Sequence, residues 1–456
     1  MASPVFSHNP LPSGGRAEEA SWVKRLMGRA SASAEYQELK FSLHRKLLDR
    51  VNLEVVSALP SEQVRDQIRG LLGELVEEES TPLSLPEKER VVAEVLDEVF
   101  GLGPLETLLN DPTVSDILVT GPELVYVERN GRLHRTAVRF KDDRHLARII
   151  ERVVSRVGRR VDESSPLVDA RLPDGSRVNA VVAPVALDGP MLSIRRFGAE
   201  PLRDEDLIRN LTMTSEIGEL LRDCVRARLN ILITGGTGAG KTTLLNVLSS
   251  YIGVDERIVT IEDAAELNLR QIHVGRMEAR PPNIEGKGAI QIRQLVINAL
   301  RMRPDRIIVG EVRGEECLDM LQAMNTGHDG SLTTVHANSP RDAISRLEVM
   351  VGMANANMSV RSIRQQISSA IDVFVHLARL SDGSRRITHV TECTGMEGDQ
   401  VTLQDLFRFE KTGLTDDLRV KGRFRATGVR PKFAEMMKAS GIDLPEDMFR
   451  TIVEIE

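Results

Sequence analysis

Apolar residues change their spacing along this chain, and each change marks a boundary. From Tyr36 to Val76, Leu39, Leu43, Leu47, Leu48 and Val51, then Ile68, Leu71, Leu72 and Leu75, recur at helical intervals between charged residues. That spacing predicts a small helical unit over residues 36–80. Pro82 and Pro86 then predict a linker. The next stretch starts helical through Val91, Val95, Val99 and Phe100 and turns to two-residue alternation in short runs at 116–119, 124–128 and 136–139. Asn130-Gly131 and Asp174-Gly175 supply turn signals, and residues 191–197 read as a closing strand. Together they predict an α+β domain over 88–198.

Beyond 198–203 the pattern becomes strand, helix, strand. Apolar runs at 231–234, 258–261, 307–309, 331–335 and 373–377 are separated by helical patterns such as Leu295, Val296, Ala299 and Leu300. Such alternation implies a parallel α/β sheet, here over 204–395. Fragments at 401–407 and 432–439, near Pro431 and Pro445, predict a C-terminal appended unit over 396–456. Ser, Gly, Pro and Ala dominate residues 1–35, which predicts a flexible leader.

The first of those runs carries the clearest chemistry. After it come Gly235, Gly236, Thr237, Gly238, Ala239, Gly240, Lys241, Thr242 and Thr243, which fill every fixed position of the phosphate-loop pattern. Glycines let backbone N–H groups converge on phosphate oxygens, and the following helix adds the positive end of its dipole. Lys241 is then placed for the β- and γ-phosphates of ATP, and the Thr242 hydroxyl for Mg²⁺.

In an open parallel sheet, ligands bind beyond the carboxyl ends of the strands, so polar residues there are the next candidates. The run at 258–261 ends in Glu262 and Asp263, which suits Mg²⁺ binding or water activation; Asp263 could also start a helix as its cap, and the two roles are compatible. The run at 307–309 ends in Gly310 and Glu311, a loose match to the second nucleotide motif with glycine where aspartate is usual. Arg313 and Glu315 beside it read as surface or intersubunit ion pairs. His336 closes the run at 331–335 and is a candidate γ-phosphate sensor; His328 precedes the run and is also a candidate for the nucleotide. Arg171, Arg177, Arg195 and Arg196, upstream of the sheet, are candidates for an arginine that neutralises transferring phosphate from outside the core. The basic set Arg276, Arg280, Lys287, Arg293, Arg301 and Arg303 is a candidate subunit interface.

Length, charge and cysteines narrow this picture. At 456 residues the chain exceeds one ordinary core. A net charge of −7 argues against nucleic acid as the main partner. Cys224, Cys317 and Cys393 stand far apart, which gives neither a disulfide framework nor a zinc module and implies a reducing compartment. No stretch approaches the ~18 apolar residues of a membrane span, so any membrane role is expected to be peripheral.

With these residues assembled, the chain resembles the type II/IV secretion and pilus ATPase superfamily, and more narrowly the Flp/Tad pilus assembly ATPases of the CpaF type. The residues that carry this are GGTGAGKTT at Gly235, TIEDAAEL at Thr260, RPPNIEGKGAI at Arg280, NALRMRPDRIIVGEVRG at Asn298 and TGHDGSLTTVHANSP at Thr326. Outside the core, EYQELKFSLHRKLLDR at Glu35, DARLPDGSRVNAVVAP at Asp169 and GRFRATGVRPKF at Gly422 add to it. The resemblance implies an α/β fold with a RecA-like P-loop ATPase core, a smaller α+β, PAS-like N-terminal domain and a helical N-terminal extension. It implies a homo-hexamer, cytoplasmic and docked on inner-membrane platform proteins, that hydrolyses MgATP to drive pilus assembly or retraction. A type IV or type II secretion ATPase is the alternative, with a nucleic-acid motor or a nucleotide-binding regulator behind it. The resemblance also implies Glu262 and Asp263 for an acidic box, Glu311 for the second nucleotide motif, and His328 and His336 for a histidine box. Ala264-Ala265 stands where many members carry a proline.

Overall fold

The computed structural model describes residues 34–50, 61–79, 83–129, 131–172, 174–196, 202–280, 282 and 287–455. The expected leader lies outside them except for its last two residues, which already belong to the first helix. The chain divides into two compact units, Met1–Phe197 and Gly198–Glu456. Among the described residues, no helix is long and apolar enough to cross a membrane.

In the first unit, helices α1 (Ala34–Arg50), α2 (Ser61–Glu78) and α3 (Leu85–Phe100) bury Leu43, Leu47, Leu72, Leu75, Val91 and Val95 in one core. The helix α3, grouped from sequence with the strands that follow, therefore completes the helical bundle. Its start is set by a capping box in which the Ser84 N–H donates to Glu87 Oε2 at 2.8 Å, followed by Pro86 in the first turn. After the short α4 (Glu106–Leu109), six strands form an antiparallel sheet in the order β3-β2-β1-β6-β5-β4. They are β1 (Val114–Thr120), β2 (Leu124–Arg129), β3 (Arg132–Arg135), β4 (Leu167–Arg171), β5 (Arg177–Val181) and β6 (Met191–Arg195). Helix α5 (Asp143–Ser155) packs Leu146, Ile149, Ile150 and Val153 against Ile117, Val119, Val178 and Ile194 of that sheet. The strand expected at 136–139 falls instead at β3, whose four residues are all exposed. An edge strand of this kind is held by backbone pairing to β2 and carries no apolar alternation to announce it.

The second unit opens with α6 (Asp204–Arg209) and α7 (Ser215–Arg226) and then builds a ten-stranded sheet, β16-β15-β14-β13-β12-β7-β11-β10-β8-β9. Its parallel part comprises β7 (Ile231–Gly235), β8 (Ile258–Glu262), β9 (Val274–Glu278), β10 (Arg306–Val312), β11 (Leu332–His336) and β12 (Val373–Arg379). Five of these are the apolar runs read from the sequence; β9 is an edge strand without a fully buried residue and was not anticipated. Helix α8 (Lys241–Ser249) and α7 cover one face, while α9 (Ile292–Ala299), α10 (Glu316–Asn325), α11 (Pro340–Ala354) and α12 (Val360–Ala370) cover the other. The residues expected as an appended unit extend this sheet. Strands β13 (Arg385–Glu397), β14 (Gln400–Leu414), β15 (Val420–Ala426) and β16 (Ile452–Ile455) continue it antiparallel, and α13 (Phe433–Ala439) buries Phe433 and Met437 in the same core as β7.

One buried ion pair fixes the amino-terminal edge of the parallel strands. Arg306, fully buried at the start of β10, donates to Glu256 Oε2 at 2.6 Å and Oε1 at 3.1 Å, and to the carbonyls of Val225 and Gly330. Burial pushes the Glu256 carboxyl up, but its bonds to Arg306 outweigh that and hold it below its ordinary value of 4.5. The folded state therefore gains stability from this carboxylate above pH 4.5 and loses it as the pH falls through the depressed folded value. Glu256→Gln, which leaves a buried guanidinium without its counter-charge, is expected to cost about 3 kcal/mol. The urea midpoint at neutral pH should fall, and the gap from the parent should close in acid. An unchanged midpoint would remove the pair from the account.

Candidate nucleotide site

Every residue of β7 is buried, and the strand delivers the chain to Gly235. Gly235 stands opposite Leu377 of β12, and a Cβ there would lie 2.5 Å from the Leu377 carbonyl oxygen. Only glycine lets the two strands stay this close. Gly238 (φ +69°) and Gly240 (φ +100°) adopt the left-handed conformation that glycine enters without penalty. Between them Ala239 is buried and donates its N–H to the Gly236 carbonyl at 3.3 Å, while Thr237 is exposed. The loop thus turns straight into α8 with Lys241, Thr242 and Thr243 in its first turn, where N–H groups without intrahelical partners face outward. Lys241 Nζ donates to the Gly235 and Gly236 carbonyls at 3.1 and 3.2 Å. Burial holds this ammonium below its ordinary pKa, and Glu311 pulls the other way.

The carboxyl ends of the neighbouring strands bring in the acids. Glu262 closes β8 almost fully buried; its Oε2 accepts the N–H groups of Glu266 at 2.6 Å and Leu267 at 2.8 Å. Burial raises its pKa against those bonds, and Oε1 is buried without a hydrogen-bond partner. This carboxylate ties down the loop that follows β8, and the segment after Asp263 forms no helix. Gly310 is small for the same reason: a Cβ there would lie 2.9 Å from Glu262 Cγ. Glu311, by contrast, is half-buried at the end of β10, and its Oε2 accepts from Arg313 Nη2 at 2.7 Å. Arg313 also pairs with the exposed Asp263 at 3.3 Å and so holds two carboxylates together, a role inside the cluster that sequence did not give it. Glu315 pairs with Arg293 instead.

His336 reaches the same place because β11 pairs with β7 in a register that sets it opposite Gly235. Burial first, then Lys241, lowers its pKa from 6.5, so the imidazole is neutral at pH 7. His328 does not join the cluster. It lies before β11, at the amino-terminal edge of the parallel strands, where its carbonyl accepts from Ser331 Oγ and its Nδ1 is buried without a partner. Two arginines that sequence passed over take a place here. In the β12–β13 hairpin Arg379 pairs in register with Arg385. Arg385 Nε donates to the Gly238 carbonyl at 2.9 Å, and Arg379 Nη1 lies 3.4 Å from where a Gly238 Cβ would be. Beneath them, His376 of β12 bonds Thr234 Oγ1 at 2.8 Å and, mainly through burial, has its pKa lowered to about 4.

The four upstream arginines belong to the first unit. Arg171, Arg177 and Arg195 occupy facing register positions on β4, β5 and β6 and so form one row on one side of that sheet. Arg195 Nε also bonds Asp116 Oδ1 at 3.0 Å. Arg196 is turned to the Asp111 carbonyl ahead of β1 and the Val114 carbonyl at its start, a structural position.

A cradle of three glycines at a helix N-terminus, with a lysine beside it, fits phosphate. Among the described residues, no group of three His, Cys, Asp or Glu could hold a metal unaided. Mg²⁺ fits this site in the way that ion usually binds, through one or two protein oxygens together with phosphate. Thr242, in the first turn of α8, would hold it together with nucleotide phosphate; Glu262, the other candidate, already gives its Oε2 to two backbone N–H groups.

The sequence is 39% identical over 326 residues to a Mycobacterium tuberculosis (strain H37Rv) protein named for conjugal transfer, covering 70% of this chain and 92% of that protein. It is 34% identical over 316 residues to the type IV secretion system protein PtlH of Bordetella pertussis, covering 63% of this chain and 92% of that protein. The crystal structure of the VirB11 ATPase from the Brucella suis type IV secretion system, in complex with sulphate, matches at 28% identity with a TM-score of 0.35, covering 65% of this chain and 97% of that one. A family model, type II/IV secretion system protein, matches residues 98–431, which is most of the chain. The phosphate loop and the strand-end cluster both lie within that match, and the chain belongs to the type II/IV secretion system protein family.

Proposed function

We propose that this chain hydrolyses MgATP and passes the energy to a secretion or pilus-assembly platform at the inner membrane, working in the cytoplasm as a homo-hexamer. The observation that carries this proposal is the convergence of Lys241, Glu311, Arg313 and His336 beyond the carboxyl ends of adjacent parallel strands. A protein that only stored nucleotide would need the loop and not a carboxylate–histidine pair beside it.

In this proposal the loop N–H groups and Lys241 hold the phosphates, and Mg²⁺, when bound, neutralises their charge. Glu311 orients and deprotonates water, with Arg313 holding its carboxyl in place. His336, neutral at pH 7, donates a hydrogen bond to a γ-phosphate oxygen. Glu262 holds the loop after β8 through its bonds to the Glu266 and Leu267 N–H groups. Arg171, Arg177 and Arg195, as one row on the first unit, supply positive charge from outside the core, worth ~10³ to 10⁵ in rate where such arginines act.

The finer assignment, assembly of a Flp/Tad-type pilus, has its support in the sequence motifs; relatives named for conjugal transfer and type IV secretion support a secretion role at least as well. Deletion of the gene separates the two: loss of surface pili with export intact favours the first, and loss of an exported substrate favours the second.

Lys241→Ala is expected to lower steady-state ATP hydrolysis by the full chain at least ~100-fold, the scale of losing one preorganised charge. Hydrolysis at the parental rate would contradict the proposal. The imidazole of His336 should titrate below 6.5 by NMR and move upward in Lys241→Met, which removes a nearby cation. An unmoved midpoint would separate the two side chains. Arg385→Ala should weaken ADP binding several-fold with the urea midpoint unchanged; unaltered affinity would leave Arg385 a structural brace of the loop.

A further inference from the structure

The first unit contains a cavity of about 640 Å³ between α1 and α5. That lies within the ~300–1,000 Å³ usual for small-ligand sites. Four cations line it, Arg45 from α1 and Lys141, Arg148 and Arg152 from α5 and the residues before it, against two carboxylates, Glu38 and Glu98. Glu98 is already matched: it is buried at the floor with Lys40 Nζ at 3.1 Å and His145 Nε2 at 2.9 Å. Arg152 is committed to the carbonyls of Glu98 and Gly101, both at 2.8 Å, and brings no carboxylate with it. Arg45, Lys141 and Arg148 have no ion-pair partner among the described residues, and all three are exposed at the rim. Burial lowers the pKa of His44 in the wall; Glu98 opposes this, and His145, Arg148 and Arg152 add to it. Positive charge thus exceeds negative charge around one concave site, with Glu38 the one carboxylate there not already paired among the described residues. Ser42 adds a polar group, and Phe41, with Lys141 Nζ 5.1 Å from its ring centroid, and the buried Ile149 form the apolar part of the lining.

We infer that this cavity binds a small organic phosphate, its phosphates on Arg45, Lys141 and Arg148 and its carbon skeleton against Phe41 and Ile149. Guanidinium forks match phosphate oxygens in pairs, and a cleft lined by one sign of charge concentrates an anion. The cavity is walled by a helix of the three-helix bundle and by the helix that packs on the antiparallel sheet, so a bound anion would fasten these two parts of the unit together. The site lies outside the phosphate loop and uses none of its residues.

The test uses the full chain carrying Lys241→Ala, which removes the main cation of the phosphate loop, with inorganic pyrophosphate and glucose 1,6-bisphosphate as probes. Hydrogen exchange read by mass spectrometry should slow in residues 34–50 and 141–155 with either probe. The bisphosphate is expected to bind more tightly, because it also covers Phe41. Adding Arg45→Gln and Arg148→Gln should weaken binding at least tenfold and abolish the slowing. Lys141→Gln alone, an exposed change that leaves the helices intact, should weaken it about threefold. No slowing in these two segments, or slowing that survives the double substitution, would overturn the inference. Tighter binding of pyrophosphate than of the bisphosphate would overturn the organic part of it.

Discussion

The candidate site depends on how closely β12 approaches β7. With Leu377 opposite Gly235, the β12 carbonyl stands where a side chain would begin, and the chain can leave β7 only as glycine. The same pairing scheme places His336 opposite Gly235 from the other side. One row of register positions therefore sets the loop, the histidine and, through the β12–β13 hairpin, Arg385. Shifting a strand by one residue would turn its side chains to the opposite face and scatter the set.

Packing also assigns different work to two carboxylates that sequence treated alike. Glu262 is buried and spends one oxygen on the Glu266 and Leu267 N–H groups, while Gly310 leaves room for its side chain. Glu311 is half-buried, near Lys241, and held by Arg313. Glu262 is confined by those two N–H bonds away from solvent, whereas Glu311 stands partly exposed beside Lys241, where a water molecule can reach it. That difference carries the proposal that Glu311 is the base.

Local signals in the chain were enough to find the apolar strands, the phosphate loop and the residues that directly follow strands. Glu311 and His336 were legible because each ends an apolar run. The misses have one physical origin: they depend on pairing between distant segments. Strand β9 and strand β3 are polar edge strands, and the four C-terminal strands join the main sheet through β12. Arg385 gains its position from a loop far away in sequence, and Arg313 its second carboxylate, Asp263, from the neighbouring strand end. His328 was grouped with His336 because one motif spans both, yet the intervening strand carries them to opposite edges of the sheet. The row formed by Arg171, Arg177 and Arg195 likewise needed the β4–β5–β6 register, which also separates it from Arg196.

The division of labour between Glu311 and Glu262 is tested most directly by measuring ATP affinity and single-turnover hydrolysis side by side in Glu311→Gln and Glu262→Gln. The account predicts that Glu311→Gln binds ATP as the parent does and cleaves it ~10² to 10⁴-fold more slowly, the range of general base catalysis. It predicts that Glu262→Gln loses stability and keeps, per folded molecule, most of its rate. A Glu311→Gln protein that turns over ATP at the parental rate, with Glu262→Gln inactive while fully folded, would contradict it.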